Sequence, residues 1–72
     1  MSKIKFDISK NQFVDIKIYD ISGRKVTTLV GQQLNAGTYE ITWDASRFSS
    51  GIYFAKLQTE NYSKTIRLIL VK

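Results

Sequence analysis

Apolar and polar residues alternate with a period of two in four segments of this chain. The apolar members are Ile4, Phe6 and Ile8; Val14, Ile16 and Ile18; Tyr39, Ile41 and Trp43; and Ile66, Leu68 and Leu70. This alternation is typical of half-buried antiparallel strands, because successive side chains of a strand point to opposite faces of the sheet. No window has the i, i+3, i+4, i+7 spacing of an amphipathic helix. The sequence therefore predicts an all-β fold.

Turn sequences separate these segments at short intervals. Asp20 and Gly23 occupy the first and fourth positions of a four-residue turn, which predicts a hairpin. Further turns contain Gly37 and Gly51, each just before a strand. Six or seven short strands with such turns predict a small immunoglobulin-like antiparallel β-sandwich. We expect residues 1–72 to form one domain, because a chain of 72 residues is near the lower limit for a self-supporting core.

Three segments depart from simple alternation. The apolar residues between Val26 and Val30 do not alternate, which predicts a bulge or an edge strand. The segment from Ile52 to Leu57 is apolar on both faces until Lys56, as in a central strand. The last strand also ends with apolar residues on both sides. Its outer apolar residues either contact another surface or are covered by a neighbouring loop.

The composition argues against catalysis and against bound cofactors. The chain has no histidine and no cysteine, so the usual nucleophile–base pairs and the commonest metal ligands are absent. Its six carboxylates lie far apart in the sequence, and its glycines do not have a phosphate-binding spacing. We therefore expect no enzymatic activity, no metal and no cofactor.

The net charge of +5 invites a nucleic-acid interpretation, which the distribution of charge does not favour. The eleven lysine and arginine residues are spread along the whole chain rather than clustered. Most of them alternate with apolar residues, as on the solvent face of a strand. We predict a soluble basic surface and no nucleic-acid partner.

The adjacent pair Trp43 and Asp44 has two interpretations. An exposed tryptophan beside an acid is able to stack on a sugar ring. However, Trp43 continues the inward-facing set of Tyr39 and Ile41, so we favour a core position. Asp44 then begins the next turn by accepting backbone amides.

Four stretches, taken in order, strongly resemble the C-terminal sorting domain of proteins exported by the type IX secretion system of Bacteroidetes-type bacteria. They are residues 16–26, 34–46, 49–57 and 63–72. The resemblance implies a folded address domain at the end of a longer secreted precursor, fused to an N-terminal cargo. It also implies a route through the periplasm to the cell surface or the extracellular space. The implied partners are outer-membrane translocon components and a sortase-like peptidase that removes the domain.

Two groups of candidate functional residues follow. For recognition by the secretion machinery we select exposed residues near the end of the chain: Lys64, Arg67, Ile69, Val71 and Lys72. For the turns and core that maintain the recognised shape we select Asp20, Gly23, Arg24, Gly37, Tyr39, Trp43, Asp44, Gly51 and Tyr53. Exposed strand edges also suggest a homodimer. The alternative function is a structural or adhesive immunoglobulin-like module of a bacterial surface protein, binding glycan through Trp43 or Tyr62.

Overall fold

The computed structural model describes residues 2–71, which form six antiparallel strands. They are β1 (Ser2–Ile8), β2 (Gln12–Tyr19), β3 (Lys25–Leu34), β4 (Gly37–Trp43), β5 (Gly51–Gln58) and β6 (Ser63–Leu70). The predicted fold class, a small all-β antiparallel sandwich, is confirmed. Within this described part of the chain there is no helix of the length and hydropathy needed to cross a membrane.

The strands are divided unequally between the two sheets. Strands β1 and β4 form a two-stranded sheet, and the other four form a sheet in the order β3-β2-β5-β6. Strand β5 is therefore internal, as its apolar residues on both faces predict. Strand β3 is an edge strand with two register shifts against β2, which accounts for its broken alternation. Strand β6 forms the opposite edge of the larger sheet.

The core lies between the two sheets and consists of two hydrophobic clusters. One cluster surrounds Trp43 and Tyr53, and the other surrounds Val14 and Leu57. Strand β2 contributes to both, because Ile18 belongs to the first and Val14 to the second. Inward side chains of β2 are almost completely buried, so this strand connects the two halves of the core.

The outward face of the two-stranded sheet is polar. Its exposed side chains are Lys3, Lys5, Asp7, Thr38, Glu40 and Thr42. Lys5 Nζ lies 3.9 Å from Glu40 Oε2, and the Thr38 hydroxyl donates to Asp7 Oδ1 at 2.8 Å. Such cross-strand pairs are ordinary for a solvated sheet face.

A matched pair of substitutions tests the assignment of core and surface. We expect Ile18→Val to lower the free energy of unfolding by about 1 kcal/mol, because it removes a methylene group from a fully buried site. Ile69→Val makes the same chemical change at an exposed site and should change stability by less than about 0.5 kcal/mol. Denaturant unfolding monitored by the buried Trp43 measures both. Equal losses would contradict the assignment.

Candidate functional site

The outer face of the four-stranded sheet combines apolar and cationic side chains. Ile52 of β5 lies directly opposite Ile69 of β6, and these side chains are 37% and 63% exposed. Val71, just after β6, is 81% exposed. In the next row, Phe54 lies between Tyr19 and Arg67. This face therefore presents apolar groups to solvent at the edge of the sheet, unlike the polar face of the smaller sheet.

Positive charges on this outer face are incompletely neutralised. Lys17 and Lys56 are direct cross-strand partners, and Lys17 Nζ forms an ion pair with Asp15 Oδ2 at 3.1 Å. No carboxylate of residues 2–71 forms an ion pair with Lys56 or Arg67. The face thus offers exposed aliphatic groups beside two free cations.

The five sequence-predicted recognition residues do not share one surface. Arg67 and Ile69 lie on the outer face, and exposed Val71 follows them. Lys64 points to the opposite face of β6 from Arg67 and borders a groove on the inner side of this strand. Lys72 lies outside the described residues. The apolar end of the last strand is thus not covered by a neighbouring loop within the described chain.

The β2–β3 hairpin is organised around the carboxylate of Asp20. Asp20 Oδ1 accepts the backbone N–H of Ser22 at 2.9 Å, the Ser22 hydroxyl at 2.6 Å and the backbone N–H of Arg24 at 3.0 Å. The backbone N–H of Gly23 donates to the Asp20 carbonyl at 3.0 Å, and Gly23 has a φ of 88°. The Ser22 hydroxyl and then the Arg24 amide hold the pKa of Asp20 below its ordinary value.

Two further corners share one geometry that sequence reasoning missed. Tyr39 donates its hydroxyl to the Asn35 carbonyl at 2.6 Å, and Tyr53 donates to the Ser49 carbonyl at 2.8 Å. In both, the tyrosine stands two residues after a glycine with a φ of 154°, a conformation that other residues rarely adopt. The repeated Gly-x-Tyr spacing is the signal that predicts this pair. Each corner anchors the start of a strand, β4 or β5.

The aromatic residues that stand out in the sequence are structural neighbours. Trp43 is only 2% exposed and packs against Tyr53 and Phe48, with ring centroids 5.3 and 5.5 Å away. Asp44 Oδ1 accepts the backbone N–H of Ser46 at 3.1 Å. A ring buried in this way does not offer a face to a sugar, so glycan binding through Trp43 has no geometric support.

The residues that the structure describes offer no candidate metal site. They contain no group of three or more potential metal-ligating side chains. The side chains with the densest hydrogen bonding, around Asp20, bond within their own turn.

A family model described as "Secretion system C-terminal sorting domain" matches residues 2–72 of the chain. No curated protein and no solved structure gives a significant match. The family match covers all six strands, the hairpin of Asp20 and both Gly-x-Tyr corners.

The Asp20 carboxylate should make stability depend on pH. Its folded pKa is lower than its unfolded pKa, so its contribution is fully present above the unfolded value and is lost as pH falls through the folded value. We expect Asp20→Asn to be less stable than the original chain at neutral pH, with the difference shrinking in acid. Denaturant unfolding between pH 2 and pH 7 measures this difference. A difference that does not change with pH would contradict the assignment.

The two tyrosine corners differ in burial and offer a second matched test. We expect Tyr53→Phe to lower the free energy of unfolding by about 1 kcal/mol, because its hydrogen bond is partly buried. Tyr39→Phe removes an equivalent bond at an exposed position and should cost less, since water replaces the lost donor. Thermal and denaturant unfolding give both values, and a larger loss for Tyr39→Phe would contradict this view of the corners.

Proposed function

Since the chain belongs to the family of secretion system C-terminal sorting domains and has the role of a type IX sorting signal, we propose that the secretion machinery recognises it as a folded domain. This family is not a family of enzymes. Its sorting role implies export of the attached protein to the cell surface or the extracellular space, with the tail typically cleaved off. The proposal therefore concerns which part of the folded surface the secretion machinery binds.

The observation that carries the proposal is the exposed apolar pair Ile52 and Ile69 at the edge of the larger sheet. Neither side chain belongs to either hydrophobic cluster of the core, so packing of the core does not account for these exposed apolar groups. Arg67 lies in the next row of the same face and Lys56 in the row after it, and no described carboxylate forms an ion pair with either. Exposed aliphatic groups next to unpaired cations are typical of a protein-binding surface.

The free edge of β6 adds a main-chain component to this surface. The only strand that pairs with β6 within the described chain is β5, so its other edge presents unpaired backbone groups. A translocon component that docks on the outer face can therefore also form backbone hydrogen bonds at this edge. Lys72, which lies outside the described residues, is included in the proposed surface on the basis of the sequence alone.

The proposed partners follow from the sorting role. The domain is fused to an N-terminal cargo and crosses the periplasm in a folded state. Outer-membrane translocon components then read the outer face, and a sortase-like peptidase of the system separates the domain from its cargo. The chain has no cysteine, so its folded state is stabilised by apolar packing and by hydrogen bonds such as that of Tyr53.

Export of a passenger protein tests the outer face directly. The chain is fused behind a periplasm-targeted passenger in a bacterium with a type IX system, either unchanged or with Ile52→Ser and Ile69→Ser together. We expect the double variant to reduce passenger export about tenfold, because it removes two central apolar contacts. Passenger in the medium, at the surface and in the periplasm is quantified by immunoblot.

The matched control is Thr38→Ser with Thr42→Ser on the polar face of the smaller sheet, which should leave export unchanged. Both purified variants must unfold at the same denaturant concentration as the original chain, monitored by Trp43. Normal export of the outer-face variant would overturn the assignment of this face. Failure of the unchanged chain to export any passenger would overturn the sorting role itself.

A further inference from the structure

A groove of about 200 Å³ runs between the two sheets on the side where β1 and β6 face each other. Four consecutive residues of β1, from Ile4 to Asp7, line it. Strand β6 contributes only Lys64 and Ile66, which are alternate residues. Because the lining residues of β1 are consecutive, the groove follows the edge of β1. Because the lining residues of β6 alternate, one face of β6 forms part of the floor of the groove.

The groove suits the addition of one more strand next to β1. The only strand that pairs with β1 within the described chain is β4, so the edge of β1 along the groove carries unpaired backbone groups. Part of the floor is apolar, because Ala55 of β5 lies opposite Ile66 and Leu57 is the next inward residue of β5. A second depression, lined by Ile8, Lys10 and Tyr62 among others, continues it past the end of β1. The two-stranded sheet is thus narrower than the sheet it covers.

The charges around the groove indicate what kind of strand it accepts. Lys5 borders it from β1 and Lys64 from β6, and both side chains are exposed. Lys5 has only a distant contact with Glu40, at 3.9 Å, and Lys64 has no ion pair within residues 2–71. The carboxylate of Asp7, also in the lining, accepts a hydrogen bond from Thr38. The two lysines outnumber this single carboxylate, so the charged groups that line the groove favour a segment with acidic side chains.

We infer that this groove binds an extended acidic segment of a partner protein, which adds a third strand to the smaller sheet along β1. Inward side chains of the segment are apolar and cover Leu57 and Ile66. Its outward side chains are acidic and lie beside Lys3 and Lys5, since opposite charges on adjacent strands attract. This site lies on the inner side of β6, away from Ile69, and does not depend on the proposed function.

A second copy of the chain fits this groove poorly. Its edge strands β3 and β6 contain no acidic residue, and β6 would bring Lys64 and Arg67 against Lys5. Its edge strand β4 carries one acid, Glu40, which already lies 3.9 Å from Lys5 of its own chain. Its β1 strand brings two lysines for one aspartate. Like charges on adjacent strands repel, so the homodimer suggested by the exposed edges is disfavoured at this site.

Binding of a synthetic peptide tests the inference on the intact chain. The probe is a short fluorescent peptide in which valine alternates with glutamate, titrated with protein and followed by anisotropy. We expect saturable binding that weakens with added salt. A peptide with lysine in place of glutamate, and one with N-methylated backbone amides, should each bind at least about tenfold more weakly. Equal binding of either control would overturn the inference.

Two further measurements locate the site. Amide hydrogen exchange with the valine–glutamate peptide bound should slow along β1, and slowing confined to other strands would overturn the inference. Lys5→Glu should weaken binding about fivefold, because Lys5 lies beside the acidic side chains of the segment, whereas the matched charge change Lys25→Glu, on the edge strand β3, should not. Sedimentation reports whether copies of the chain associate. If the chain self-associates, and the peptide neither binds nor disrupts that association, the groove belongs to a second copy instead.

Discussion

Burial of one face of β2 is the interaction on which the rest of the structure depends. Val14, Ile16 and Ile18 are the most deeply buried large side chains of the described chain. They connect the two hydrophobic clusters, and the strand that carries them pairs with β3 on one side and β5 on the other. A small domain buries a limited fraction of its surface, so continuity between the clusters matters more than the size of either.

Unequal division of six strands between two sheets determines where the two proposed partner surfaces lie. Two strands cannot cover four, so one sheet edge remains partly uncovered and the larger sheet presents a broad outer face. The smaller sheet has a polar exterior with cross-strand polar pairs, whereas the larger sheet exposes Ile52 and Ile69. Both surfaces that we assign to partners follow from this inequality, and both include β6.

Alternation in four segments, and departures from it in β3 and β5, were sufficient to predict the strands, the central character of β5 and the irregularity of β3, because each pattern involves only neighbouring residues. The same alternation predicts that Lys64 and Arg67 face opposite sides of β6, because residues of a strand that are an odd number of positions apart point to opposite faces. The Gly-x-Tyr repeat is also present in the sequence, but its structural role becomes clear only from the hydrogen bonds of the two tyrosine hydroxyls. The pairing of β1 with β4, and hence the groove, depends on contacts between distant segments that no local pattern encodes.

The positive charges on β6 have two consequences that reinforce each other. An unpaired strand edge is a template for association with any other edge, and charged side chains are a common way to suppress this. Lys64 and Arg67 point to opposite faces of β6, so a second β6 that approaches this edge meets like charge on both faces. The same two residues also belong to the surfaces that we assign to partners, because Lys64 borders the groove along β1 and Arg67 lies on the outer face with Ile69. The charges that disfavour pairing between two β6 edges are therefore charges that the two proposed surfaces present.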